Sequence, residues 1–62
     1  MDAAGRRQKI RETLERADHP ISATTLAEQL GVSRQIIVGD VALLRAAGED
    51  ISATPRGYPL KQ

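Results

Sequence analysis

The sequence has no cysteine, tryptophan or phenylalanine and only one tyrosine, Tyr58. Without cysteine there can be neither a disulfide nor a thiolate zinc site, so the packing of aliphatic side chains must stabilise the fold. The chain also has a single histidine, His19, and no glycine-rich phosphate loop. No nucleophile is paired with a base, and no metal-ligand cluster is visible. We therefore expect neither an enzyme nor a cofactor bound by this chain.

Long apolar runs are absent as well. The opening MDAAGRRQKI lacks the apolar core of a signal peptide, and no segment is long enough to span a bilayer. We expect a cytoplasmic protein with no membrane partner. Neither sign of charge is in clear excess, because the chain has nine basic and eight acidic residues. Composition alone therefore does not indicate a nucleic-acid partner. A chain of 62 residues has room for one domain.

Apolar residues at helical spacing predict a first helix over residues 6–17, with Ile10, Leu14 and Ala17 on one face. Pro20 disfavours helical geometry at the preceding residue, so this helix must end before it. Residues 1–5 are expected to form a flexible N-terminus, and residues 6–62 the folded domain. The basic run at residues 6–11 is typical of a solvated helix face.

Two serines predict the next two helices. Ser22 is a suitable N-cap for a helix from Ala23 to about Leu30, and Gly31 suits the left-handed residue that ends it. Ser33 repeats the cap for a third helix. Each start also has the apolar pair of a hydrophobic staple. These pairs are Ile21 with Leu26, and Val32 with Ile37. A three-residue turn between two capped helices predicts a helix-turn-helix.

The third helix has a wide apolar arc that we expect to be buried. It consists of Ile36, Ile37, Val41, Leu43, Leu44, Ala47 and Gly48. Residues outside the arc must face solvent or a partner. They are Arg34, Gln35, Val38, Gly39, Ala42, Arg45 and Ala46. Asp40 flanks the buried stripe and is expected to be a structural hydrogen-bond or ion-pair partner. Ile36 and Leu43 have a second interpretation, as part of a subunit contact.

The apolar period changes to two after Gly48, which predicts a β-hairpin. Ile51 and Ala53 point one way, and Tyr58 and Leu60 rejoin them across a turn at residues 55–57. The segment around Ile21 could add a short third strand. The predicted fold is therefore mostly α with a small β-hairpin. It is a winged helix-turn-helix of three helices and a C-terminal wing.

This layout indicates a function because an α-helix fits the DNA major groove, where its first exposed residues reach base edges. Arg34 suits guanine, Gln35 suits adenine, and Val38 is placed for a thymine methyl. The Ser33 hydroxyl and the free amides beside it can hold a phosphate. Arg56 at the hairpin tip can enter the minor groove or bind the backbone.

Other positions on this surface have two interpretations. Thr24 and Thr25 either bind phosphate or are merely solvated. Gly39 either removes one side-chain contact or lets the helix backbone approach DNA, at a cost of roughly 1 kcal/mol relative to alanine. The residues assigned to DNA binding are Thr24, Thr25, Ser33, Arg34, Gln35, Val38, Gly39, Arg45, Arg56 and Gly57.

The motifs LGVSRQIIV, DVALLRAAG and ATPRGYPL resemble the N-terminal winged helix domain of the nicotinate-responsive repressors of bacterial NAD biosynthesis. The biotin operon repressor's DNA-binding domain is a more distant relative. The resemblance covers roughly residues 6–60 and implies a repressor that binds a double-stranded operator as a homodimer. In that family the effector and a metal ion bind a following domain that the 62 residues do not include. Glu49 and Asp50 depart from the family by adding negative charge near the wing.

A protein-interaction or dimerisation module without DNA binding is the alternative, because winged helices also serve as docking units. The nearly balanced net charge suits that role. Binding of a partner through Ile36, Leu43 or the wing, unaffected by competing DNA, would favour this alternative.

Overall fold

Three helices make up most of residues 2–60, the part of the chain that the computed structural model describes. They are α1 (Ala3–Arg16), α2 (Ala23–Leu30) and α3 (Arg34–Ala46). Met1, Lys61 and Gln62, which belong to the predicted segments 1–5 and 6–62, lie outside the described residues.

The start of α1 corrects the sequence prediction. The helix begins at Ala3, because the Asp2 carboxylate accepts a hydrogen bond from the Gly5 amide at 2.7 Å. Aspartate is a strong N-cap, and the alanines that follow favour helix. Residues 3–5 are therefore the first turn of α1 and not a segment that precedes it. The helix ends at Arg16, one residue earlier than predicted, because Ala17 is extended and serves as its C-cap.

The predicted helix-turn-helix is confirmed. Ser22 accepts a hydrogen bond from the Thr25 amide at 3.1 Å, and Ser33 accepts one from the Ile36 amide at 3.2 Å. Gly31 ends α2 in the left-handed conformation, with φ of 68°. These local interactions fix the sharp turn between α2 and α3.

The core lies between the three helices. Its buried members are Ile10, Leu14, Ala23, Leu26, Ala27, Ile37, Val41, Leu44 and Ile51, with Ile21, Leu30, Val32, Tyr58 and Leu60 packed at its edge. The predicted arc of α3 is too wide, because Ile36 is 41% exposed and Leu43 is 55% exposed. Ala47 and Gly48 are also exposed. The other two helices cover only one stripe of α3, and Ile36 and Leu43 lie beside that stripe. Ala47 and Gly48 follow Ala46, the last residue of α3.

The C-terminal segment pairs in the predicted antiparallel register but through isolated bridges. Thr54 pairs with Gly57, and Ile51 pairs with Leu60. Within residues 2–60 no continuous strand forms, since Pro59 has no amide hydrogen to donate between the bridging residues. We call residues 54–57 the 54–57 turn. The strand-bounded wing stays a prediction.

One further bridge joins Ile21 to Tyr58, so the predicted third strand is present as a single antiparallel pair. The prediction that Ala53 points the same way as Ile51, onto the core, is wrong, because Ala53 is exposed. No helix of the described part is long and apolar enough to cross a membrane.

Candidate nucleic-acid interface

One face of α3 is exposed and carries an arginine near each end. Arg34, Val38 and Arg45 lie within about 40° of one another around the helix axis, since each residue turns the helix by about 100°. Arg34 and Arg45 are about 16 Å apart along the axis. All three side chains are exposed, as is Gln35 beside them. Two predicted base-reading residues, Arg34 and Val38, therefore share one strip of the helix, and Gln35 is exposed about 60° around the axis from Val38.

Beside this strip, on the solvent-facing side of α3, the side chains are short. Gly39, Ala42 and Ala46 are all exposed there, about 80–140° around the helix axis from Arg34. A methyl group added at Gly39 would meet no heavy atom within 4 Å. A surface with such short side chains lets the helix axis come close to a binding partner.

The one acidic residue of α3, Asp40, points away from this face. It is 3% exposed, and both its carboxylate oxygens accept hydrogen bonds from the guanidinium of Arg6, one of them at 3.0 Å. Arg7 lies 3.6 Å from the same carboxylate. The hydrogen bond to Asp40 raises the pKa of Arg6, outweighing the opposing effect of burial. The predicted structural role of Asp40 is confirmed.

A second ion pair joins α1 to the segment after α3. Arg11 donates from Nε to Glu49 at 3.0 Å and lies 3.4 Å from Glu15. The hydrogen bond to Glu49, followed by the attraction of both carboxylates, raises the pKa of Arg11. The prediction of a solvated basic face at residues 6–11 was therefore wrong for Arg6, Arg7 and Arg11. The position of Asp40 beside the buried stripe of α3 could have indicated this pairing, because a buried carboxylate needs a cation from another element.

These pairings leave a specific set of cations available. Within residues 2–60, five basic side chains form no ion pair with a described carboxylate. They are Lys9, Arg16, Arg34, Arg45 and Arg56. Two belong to the exposed face of α3 and one to the 54–57 turn. The same part of the chain contains no cluster of histidine and carboxylates that could hold a metal ion.

The starts of α2 and α3 and the 54–57 turn border one open groove. It is lined by Ser22, Ala23, Thr24, Arg34, Ala53, Thr54, Pro55, Gly57 and Tyr58. Thr24 and Arg34, two predicted site residues from different helices, therefore meet at one concave surface. Thr25 is exposed nearby, but its hydroxyl accepts a hydrogen bond from Ser22 at 2.9 Å.

The 54–57 turn presents Arg56 at its tip. Thr54 and Gly57 exchange backbone hydrogen bonds of 3.0 and 3.1 Å. The Thr54 hydroxyl donates to the Gly57 carbonyl at 2.6 Å and accepts from the Arg56 amide at 3.3 Å. The Arg56 side chain is exposed, whereas Gly57 is partly buried. Sequence reasoning missed the hydroxyl of Thr54, although threonine before a proline-led turn is a common signal of such bonding.

Comparison with known proteins gives one family and two similar repressors. The model of the HTH domain family, type 11, matches residues 6–59. The chain is 54% identical over 55 residues to the probable transcription repressor NiaR of Thermotoga maritima. It is 40% identical over 55 residues to the transcription repressor NadR of Bacillus subtilis. Each alignment covers 89% of this chain and 31% of the relative, so the chain spans about a third of the curated relatives it matches.

Proposed function

Because this chain belongs to the HTH domain family, we propose that it is the sequence-specific, double-stranded DNA-binding domain of a bacterial transcription repressor. The observation that carries the proposal is the exposed face of α3. It has arginines near both ends and short side chains beside them, and the helix's only acidic residue is buried on the other side. A helix with such a face can enter the major groove without repulsion from the phosphates.

The first turn of α3 supplies the base contacts in this proposal. Arg34 donates two hydrogen bonds to the O6 and N7 atoms of guanine, and Gln35 pairs with the N6 and N7 atoms of adenine. Val38, one turn later, packs on a thymine methyl. Because Gly39 has no side chain, the backbone of α3 can lie close enough to the DNA for these contacts.

Phosphate contacts fix the orientation of the helix. The Ser33 hydroxyl and the amides at the start of α3 hold one phosphate, and Thr24 and Thr25 at the start of α2 hold another. Arg45 reaches a phosphate at the far end of α3. Arg56 serves as the tip of the wing and binds the adjacent minor groove or its backbone. The phosphate contacts carry no sequence information but supply much of the affinity.

The rest of the proposal concerns the whole regulator. The two similar proteins are named as transcription repressors, so we propose a non-enzymatic regulator that acts in the cytoplasm. No cofactor is assigned to these 62 residues. A homodimer, whose contact lies outside this chain, would place two copies on an operator with two-fold symmetry.

Selection of binding sites from a random duplex pool tests the proposal. The enriched duplex is then titrated into the isotope-labelled chain at low salt while amide shifts are followed. We expect the largest shifts at residues 33–39 and 55–58, and much smaller ones on α1. An unenriched pool, or amide signals in these two segments that do not move with saturating DNA, would rule the function out.

A second candidate function, a protein-interaction module, is favoured by the exposure of Ile36 and Leu43. They lie seven residues apart, on the same side of α3, and both are more than a third exposed. Sedimentation of the chain at high concentration, with and without DNA, tests this function. Self-association that Leu43→Glu abolishes and that DNA does not affect would support the second function over the first.

A further inference from the structure

Gly57 touches the backbone that leads into α2. Its φ is 131°, which L side chains rarely adopt. A Cβ atom at this position would lie 2.5 Å from the carbonyl carbon and oxygen of Ile21 and 2.7 Å from the Ser22 nitrogen. Such distances are shorter than real Cβ contacts, and all three atoms belong to backbone. Only glycine therefore allows the 54–57 turn to lie this close to α2.

The neighbouring residue locks the same contact through hydrogen bonds. Tyr58 donates from its amide to the Ile21 carbonyl at 2.8 Å, and Ile21 donates to the Tyr58 carbonyl at 3.3 Å. Ser22, the next residue after Ile21, is the N-cap of α2. Residues 57–58 and 21–22 thus form one rigid junction at the start of α2, which we call the 21–57 junction.

The tip of the 54–57 turn is connected to this junction through Gly57. Arg56 directly precedes Gly57, and the paired hydrogen bonds between Thr54 and Gly57 close the turn around it. The backbone at Arg56 therefore cannot move without moving Gly57. A shift at Gly57 is in turn opposed by the Ile21 backbone.

We infer that Gly57 is a positioning residue for DNA binding. It sets the spacing between the guanidinium of Arg56 and the phosphate-binding start of α2, a role different from the direct DNA contact predicted for Gly57 from the sequence. This inference rests on the proposed function. The physical reason is that two contacts to one duplex act together only when their spacing matches the phosphates.

A double-mutant cycle tests the inference with the enriched duplex. In the parent chain, Arg56→Ala should weaken binding about tenfold, the loss expected for one charge-assisted hydrogen bond, and should lower the slope of log K against log salt by about 0.9. In a Gly57→Ala background, Arg56→Ala should change affinity less than twofold and leave the slope unchanged. Gln35→Ala is the matched control, and its effect should be equal in both backgrounds.

Circular dichroism and the amide spectrum establish whether Gly57→Ala is folded. If it is not, the cycle is run with Gly57→D-Ala, which chemical synthesis of so short a chain allows. A D-residue accepts positive φ and directs its methyl group away from the position that collides with Ile21. We expect Arg56 to keep its full tenfold effect in this variant, since positive φ and the free space toward Ile21 are both retained.

The outcomes separate this inference from the proposed function. If the parent chain binds no duplex, the proposed function itself fails. If the parent binds but Arg56→Ala costs the same in the folded Gly57→Ala background, or costs nothing in the parent, the positioning role is overturned. A folded Gly57→D-Ala variant in which Arg56 has lost its effect overturns it as well.

Discussion

At the scale of single residues, Gly39 is the position where stability and the proposed DNA contact make opposite demands. It lies in the interior of α3 with an ordinary helical conformation, and an added methyl group would meet nothing within 4 Å. Gly39→Ala should therefore stabilise the fold by about 1 kcal/mol, which raises Tm by about 4–8 °C in a domain of this size. Thermal unfolding followed by circular dichroism measures the change.

Gly48→Ala is the matched control for this substitution. Gly48 also has open space around it, but its φ is 102°, so alanine there should lower Tm. For DNA binding we expect the opposite effect of Gly39→Ala, a loss where stability shows a gain. If the backbone of α3 approaches the bases, the stabilised Gly39→Ala variant should bind the enriched duplex more weakly than the parent. Unchanged affinity would contradict the close approach and leave only a lost side-chain contact.

Arg34 carries the most specific residue-scale prediction. Arg34→Ala should cost about 1–3 kcal/mol on the preferred duplex and relax discrimination at one base pair. Fluorescence anisotropy with the preferred duplex and its single-base variants measures both effects. Arg16→Ala is the control, because Arg16 is also an exposed arginine and lies at the end of α1. Equal losses for both variants on every duplex would show that Arg34 contributes charge alone.

At the scale of the elements, α1 holds α3 through a buried carboxylate. Removal of Arg6 takes away both hydrogen bonds to Asp40 and leaves only Arg7, at 3.6 Å. Arg6→Ala should therefore lower Tm more than Arg7→Ala does, because an insufficiently paired buried charge is costly. Thermal unfolding at neutral pH of the two single variants gives the comparison.

The Asp40→Asn variant separates pairing from general charge effects. It removes the buried charge, so the difference between Arg6→Ala and Arg7→Ala should shrink in that background. If the two arginine variants lower Tm equally in the parent, Arg6 is not the main partner of Asp40.

Local signals explain why α2 and α3 were predicted from sequence. Ser22 and Ser33 each cap a helix by accepting a hydrogen bond from the amide three residues later. Gly31 ends α2 in the left-handed conformation. All of these signals involve residues that are close in sequence. The same rule applied at Asp2 identifies the start of α1. The prediction began that helix at Arg6 because it used the apolar period, and the exposed first turn has only alanine and glycine, with no large apolar residue to show that period.

Contacts between distant residues explain what the sequence could not predict. The pairing of Arg6 with Asp40 joins residues 34 positions apart, and the close approach of Gly57 to Ile21 depends on how the C-terminal segment packs on α2. The exposure of Leu43 has the same cause, since an apolar period shows which side chains share a face but not how much of it the neighbours cover.

At the scale of the whole molecule, the ion pairs leave cations available on α3 and the 54–57 turn of a nearly neutral chain. Carboxylates at Asp40 and Glu49 are paired with arginines of α1, whereas Arg34, Arg45 and Arg56 remain unpaired with described carboxylates. The net charge of +1 therefore understates the field that a duplex would meet at α3 and the 54–57 turn. Association with DNA depends on this local field rather than on the total charge.

Under the proposed function a single copy of this domain would read one half-site, which leads to a prediction about paired copies. Fusion of a two-stranded coiled coil after residue 62 through a flexible linker should raise affinity by about 10²–10⁴-fold on a duplex with two inverted copies of the preferred site. The gain arises because the second binding step becomes intramolecular. The copies are placed one helical turn apart, about 10.5 base pairs.

The control duplex moves the second site by half a helical turn, to the opposite side of the DNA, where a short linker cannot reach it. Most of the gain should then be lost, and the unfused chain should bind both duplexes with equal affinity and without cooperativity. Cooperative binding by the unfused chain would instead indicate that copies associate through the exposed side of α3 at Ile36 and Leu43. In that case Leu43→Glu should abolish the cooperativity while leaving binding to a single site intact.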